Sequence, residues 1–223
     1  MKKINWKYGV GEVIIVIIGL YGAFSLNTFR ENVKNTKLKV EYLESLALDI
    51  KTEIKTLKKN DGEIYTILKT IHDIKPFLGK KKGNRDTIVN KVFELSTMVD
   101  FYPENNTYKT LINSGDMKLI DNFKLRRTIE EHYSQHKLTL KSYKKLATIY
   151  EKYFTDLFVR KIDFDEIKKG NYDFLNDKLL KNLIVTIEGS YYLIMNENRK
   201  CNKSNLNLLE RINTEIAICN SDI

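Results

Sequence analysis

The sequence predicts an all-α protein in which an N-terminal transmembrane helix runs into a helical stalk and is followed by an antiparallel helical bundle. Three observations carry this reading. Residues 8–29, from Tyr8 to Phe29, form an apolar run whose single charge is Glu12. As a helix this run of about 22 residues spans about 33 Å, close to a hydrocarbon core of about 30 Å. Only two prolines, Pro76 and Pro103, interrupt the whole chain, and the apolar residues elsewhere recur at helical spacing. Finally, strand-like alternation is confined to 183–187, which a helix accommodates equally well. The expected organisation is a basic tail over 1–7, the membrane helix over 8–29, a stalk over 30–62 and the bundle domain over 63–223.

The first element reads as an uncleaved anchor. Its apolar run exceeds the 7–15 residues of a signal-peptide core, and no small-x-small cleavage site follows Ala23. Lys2, Lys3 and Lys7 on one flank nearly balance Arg30, Lys34, Lys37 and Lys39 on the other. The positive-inside rule is therefore silent. A short basic tail is easily retained in the cytoplasm, and long C-terminal domains translocate largely regardless of charge. The expectation is a cytoplasmic N-terminus with the domain across the membrane.

Beyond the anchor, Val40, Leu43, Ala47, Ile50, Ile54 and Leu57 recur in alternating steps of three and four. This heptad seam fits a parallel coiled-coil dimer or packing against the chain's own later helices, and the second fits a compact domain better. Asn60-Asp61-Gly62 reads as a cap and turn closing the stalk. Further helices are expected over 63–74, 86–99, 107–113, 123–161 and 177–219, the last bent near 200–204. Polar or proline-containing loops separate them.

The chain carries 38 Lys plus Arg against 29 Asp plus Glu, a net charge of +9. Only seven of the basic residues are arginine. The densest patch, Lys80-Lys81-Lys82, lies between two glycines as a solvated loop rather than an aromatic-laced basic face, so nucleic acid is not an expected partner. The same lysine excess leaves attraction to anionic lipid headgroups as an alternative role for the domain. Two cysteines, Cys201 and Cys219, exclude a disulfide scaffold. On one straight helix they stand about 27 Å apart and cannot pair; a turn near 202–205 would bring them together, and the sequence leaves both open.

Among candidate sites, Glu12 is the sharpest, because a carboxyl within a membrane segment is costly. It shares a helix face with Gly19, Gly22 and Ala23, and Gly19-x-x-x-Ala23 permits close helix approach. These four residues are expected to mediate helix packing in the membrane, although Glu12 also stands within snorkelling reach of the interface. His132 and His136 have the i, i+4 spacing that places two imidazoles on one face for a metal. Neither HExxH nor Glu-x-x-His is formed and no third ligand can be named, so surface or half-buried histidines are the expectation. Accordingly no metal site, catalytic residue or cofactor is assigned. Ser114, Gly115 and Asp116 read as a structural turn closing a short helix. Asp163, Asp165 and Glu166 suit a helix N-terminus.

Two segments carry a family resemblance. Tyr8-Gly9-Val10-Gly11-Glu12, the apolar run and Asn27-Thr28-Phe29-Arg30-Glu31 resemble a “Y-x-x-GE, apolar run, N-x-W-N-E” opening, with Phe29 in place of Trp and Thr28 and Arg30 where the family prefers Asn. Thr107-Tyr108-Lys109-Thr110-Leu111-Ile112-Asn113-Ser114-Gly115-Asp116, with Leu119-Ile120 and Leu125-Arg126, is similar to a “T-Y-x-x-L-x-x-S-G-x-x-x-L-I … L-R” core. Both mark an uncharacterised family of single-pass inner-membrane proteins of flavobacterial type. The resemblance covers about residues 5–135. It implies a bacterial inner-membrane location, makes Glu12 and the Ser114-Gly115 turn family features, and implies no chemistry. The expected role is a non-enzymatic one, binding a protein partner or further copies of the chain in the bacterial cell envelope. The rival is a membrane-tethered metal protein or enzyme using His132 and His136.

Overall fold

The structure, a computed structural model, describes residues 6–80 and 83–221. Lys2 and Lys3 of the expected basic tail, and Lys81 and Lys82 of the basic loop, lie outside the described residues. Helix α1 runs from Trp6 to Ile74, 69 residues or about 100 Å. It is followed by α2 (Arg85–Glu94), α3 (Asn106–Ser114) and α4 (Phe123–Ile149). Then come α5 (Thr155–Arg160), α6 (Phe164–Lys168) and α7 (Lys178–Ser221). The described residues contain no strand, and the long N-terminal helix packs against later helices in a bundle.

Three long helices build that bundle, and their directions follow from their contacts. Glu53 and Asn60 of α1 meet His136 and Tyr143 of α4, in the same order along both chains. On α7 the matching partners run in reverse, with Asn205 against Glu53 and Asn198 against Tyr143. Thus α1 and α4 are parallel, and α7 lies antiparallel to both. The connection from α1 to α4 must return the chain to its starting end. It does so through α2, tied to α1 by Lys91–Asp73, and then down the bundle past three contacts. The Asp100 carbonyl accepts from Asn60, the Thr107 amide donates to Asp49, and Asp116 accepts from Tyr42.

Several elements differ from expectation. The turn at Asn60-Asp61-Gly62 does not form: α1 continues through it, because Asn60 is buried and bonded across the bundle instead of capping. Pro76 then sits in the 3-10 turn Lys75–Phe77 that ends this path. The helix expected over 86–99 stops at Glu94, and the one expected over 123–161 is interrupted by a π turn at Tyr150–Phe154. In that turn Thr155 Oγ1 donates to the Tyr150 carbonyl five residues back. Helix α7 passes through 200–204 unbroken, so Cys201 and Cys219 are both free.

Residues 39–60, expected as a stalk, are an inner wall of the bundle. Leu43, Ala47, Ile50 and Leu57 of the predicted seam are at most 5% exposed, packed within the chain. The core divides in two along the bundle axis. The lower cluster holds Leu43, Leu46, Ile50, Ile129 and Leu208. The upper one holds Leu57, Ile64, Ile71, Leu146, Ile187 and Ile194. Below both, residues 12–31 of α1 project free of the bundle and are exposed throughout. This is one long apolar N-terminal helix, compatible with a single membrane span or a signal sequence.

Candidate functional site

The predicted membrane-packing residues lie on the projecting part of α1. Glu12, Gly19, Gly22 and Ala23 are exposed, and a Cβ added at Gly19 or Gly22 would meet nothing within 4 Å. Among the described residues, no other part of the chain covers this face. The turn residues lie elsewhere, against α1 near the base of the bundle. Gly115 adopts φ 75°, the left-handed conformation that ends α3. Ser114 Oγ donates to the Thr110 carbonyl at 2.9 Å and accepts from the Asp116 amide at 3.3 Å. Asp116 in turn accepts from Tyr42 of α1 at 2.7 Å. The Ser114 and Tyr42 hydroxyls hold the Asp116 carboxyl below the usual carboxylate range.

His132 and His136 require a correction, for both are buried, at 1% and 3% exposure. Their ring centroids are 5.4 Å apart on one face of α4. The group that sequence reasoning missed is Glu53 of α1, 2% exposed, which contacts His136 Nε2 through Oε2. Its other oxygen accepts from Asn205 Nδ2 at 3.0 Å and from the Cys201 thiol at 3.3 Å. His132 Nδ1 bonds Ser204 Oγ at 3.1 Å. Three helices thus converge on one carboxylate and two imidazoles, whose candidate ligand atoms lie within 4.8 Å of one another.

Burial and pairing compete at this point. Burial by itself would raise the Glu53 carboxyl pKa, but the His136 hydrogen bond and charge, then the Asn205 donor, bring it below the usual range. The carboxylate is therefore ionised. Burial drives the His132 pKa from 6.5 down to about 4, so its ring is neutral near pH 7. The Cys201 thiol is pushed up by burial and then by the Glu53 charge, and so remains a donor.

The cluster belongs to a pattern along α1. Lys39, Leu46, Glu53 and Asn60 occupy one heptad position, all buried and three of them polar. Lys39 pairs with Asp121 at 2.5 Å and Glu215 at 2.6 Å, at the base of the bundle. Asn60 and Tyr143 share a hydrogen bond of 3.2 Å, and Asn198 reaches both Tyr143 and Asp61. Buried polar groups at repeated heptad positions fix which layers of neighbouring helices face each other. The Glu53 layer falls where the lower apolar cluster ends and the upper one begins.

Comparison with known proteins adds nothing to this geometry: no protein-family model, curated protein or solved structure matches the chain.

Proposed function

We propose that this chain is a single-pass, non-enzymatic component of the bacterial inner membrane, with its N-terminus in the cytoplasm and its helical domain in the periplasm. There it binds a protein partner or further copies of itself. One observation carries the reading. Residues 13–29 are uncharged and mostly apolar, exposed on every face and continuous with a helix whose later turns are locked into a well-packed core. Leaving that much apolar side chain in water costs about 25 cal/mol for each Å². A bilayer removes the cost for the lipid-facing residues. On the face of Glu12, Gly19, Gly22 and Ala23, a second helix can approach closely enough to satisfy the carboxyl. The resemblance to the uncharacterised flavobacterial-type family supports the same architecture.

Because α1 enters the core without a break, a helix bound in the membrane would act directly on the bundle. Crosslinking in membranes tests the packing face. Glu12→Ala and Gly19→Leu should each reduce crosslinked oligomers or recovered partner several-fold, and unchanged complexes in both variants would contradict the reading. A phosphatase reporter fused after Ile223 should be active, reporting a periplasmic domain. An inactive phosphatase beside an active cytoplasmic reporter would reverse the topology.

A further inference from the structure

We propose that Glu53, His132 and His136 bind one divalent transition-metal ion, zinc by the chemistry of the donors, as a structural staple between α1 and α4. Two imidazoles and one carboxylate form a donor set that suits first-row transition ions, and zinc in particular. Ligand atoms around zinc sit about 2.0–2.2 Å from the ion, hence roughly 3–4 Å from each other. The three groups here already lie within 4.8 Å, so small side-chain movements close the set.

Four further observations favour a metal over a bare ion pair. One partner for Glu53 leaves a second imidazole in the same pocket, more than a simple ion pair needs. Both rings leave α4 on one face, with centroids 5.4 Å apart, and meet that carboxylate together. The groups are also supported from behind: Ser204 orients the His132 ring and Asn205 holds the free oxygen of Glu53. Such outer partners fix ligand orientation in metal sites. Asn205, itself fully buried, leaves Oδ1 without a partner, a polar atom that the protein alone does not satisfy.

The position explains what the ion would do. The site lies between the two apolar clusters, and its three ligands are 1–3% exposed, so bulk solvent and a substrate are kept from it. Three protein donors leave the fourth tetrahedral position of the ion to a water, and an ion enclosed in this way adds folding free energy. It would join α1 directly to α4, two parallel helices otherwise held mainly through α7. Coordination requires each imidazole to be unprotonated at the nitrogen facing the ion. Any proton shared by His136 and Glu53 is therefore released to solvent on loading.

The test uses the full chain in detergent, equilibrated with zinc or cobalt(II) and dialysed. Wild type should retain one ion per chain, show visible ligand-field absorption with cobalt, and lose thermal stability on chelation. Glu53→Gln preserves shape and should lower affinity by more than the roughly 100-fold typical of losing a supporting partner. If that variant fails to fold by circular dichroism, His132→Gln is read in the same way. Folded wild type that takes up neither ion overturns the proposal and leaves a buried carboxylate–imidazole pair. So does undiminished binding in both Glu53→Gln and His136→Gln.

Discussion

At position 53 the buried seam of α1 carries a glutamate where a leucine would pack, and seven residues later it carries Asn60. Each is stabilised only by a complete set of partners, since one unpaired buried charge or amide costs several kcal/mol. Tyr143 shows how such a layer responds to pH. Burial raises its phenol pKa from 10.0 to about 12, against the opposing hydrogen bonds of Asn60 and Asn198. Between those values the unfolded chain releases the proton and the folded chain keeps it. Stability is therefore intact below pH 10 and falls as pH rises towards 12, by on the order of 2–3 kcal/mol. Urea denaturation of wild type and Tyr143→Phe checks this. The variant should be less stable near pH 7 by about 1–3 kcal/mol, from the donors left unpaired, but should lack that part of the alkaline loss. Parallel pH profiles for the two proteins would contradict the assignment.

Among the elements, α1 departs most from expectation, and its sequence explains why. Asn60-Asp61-Gly62 has the composition of a helix stop, yet Asn60 and Asp61 are both committed to partners across the bundle. Gly62 is helical and has nothing within 4 Å of an added Cβ. Gly62→Ala should thus stabilise the domain by about 0.5–1 kcal/mol. Gly115→Ala should destabilise it by about 1–2 kcal/mol, because φ 75° is strained for alanine. A loss of thermal stability in Gly62→Ala would mean that the helix breaks there. The heptad positions Leu43, Ala47, Ile50 and Leu57 were legible because apolar periodicity directly encodes a buried face. Glu53 was not, since a charged residue beside a seam ordinarily faces water, and its partner His136 lies 83 positions away. The histidine spacing was legible for the same local reason as the seam, whereas their burial depends on α1 and α7. The unbroken path of α7 through 200–204 was equally hidden: Asn198 and Asn205 have turn-like character but point into the core.

On the scale of the molecule, one helix of about 100 Å has two unlike parts. Its first part exposes apolar side chains on all sides, and its second part supplies one wall of a bundle whose base begins at Lys39. Only about ten residues separate Phe29 from Lys39, or about 15 Å along the helix. In the proposed arrangement the bundle therefore stands close to the membrane surface, with its base closed by the Lys39–Asp121–Glu215 cluster. In that arrangement the continuity of α1 would make the anchor part of the domain and let contacts made in the bilayer act on the helical core. Such coupling requires residues 8–29 to remain attached in the mature protein. The decisive measurement is the intact mass of the protein recovered from membranes after alkaline carbonate extraction. A single-pass anchor gives a chain that resists extraction and retains its N-terminal segment. A carbonate-soluble chain that begins beyond the apolar run would contradict it.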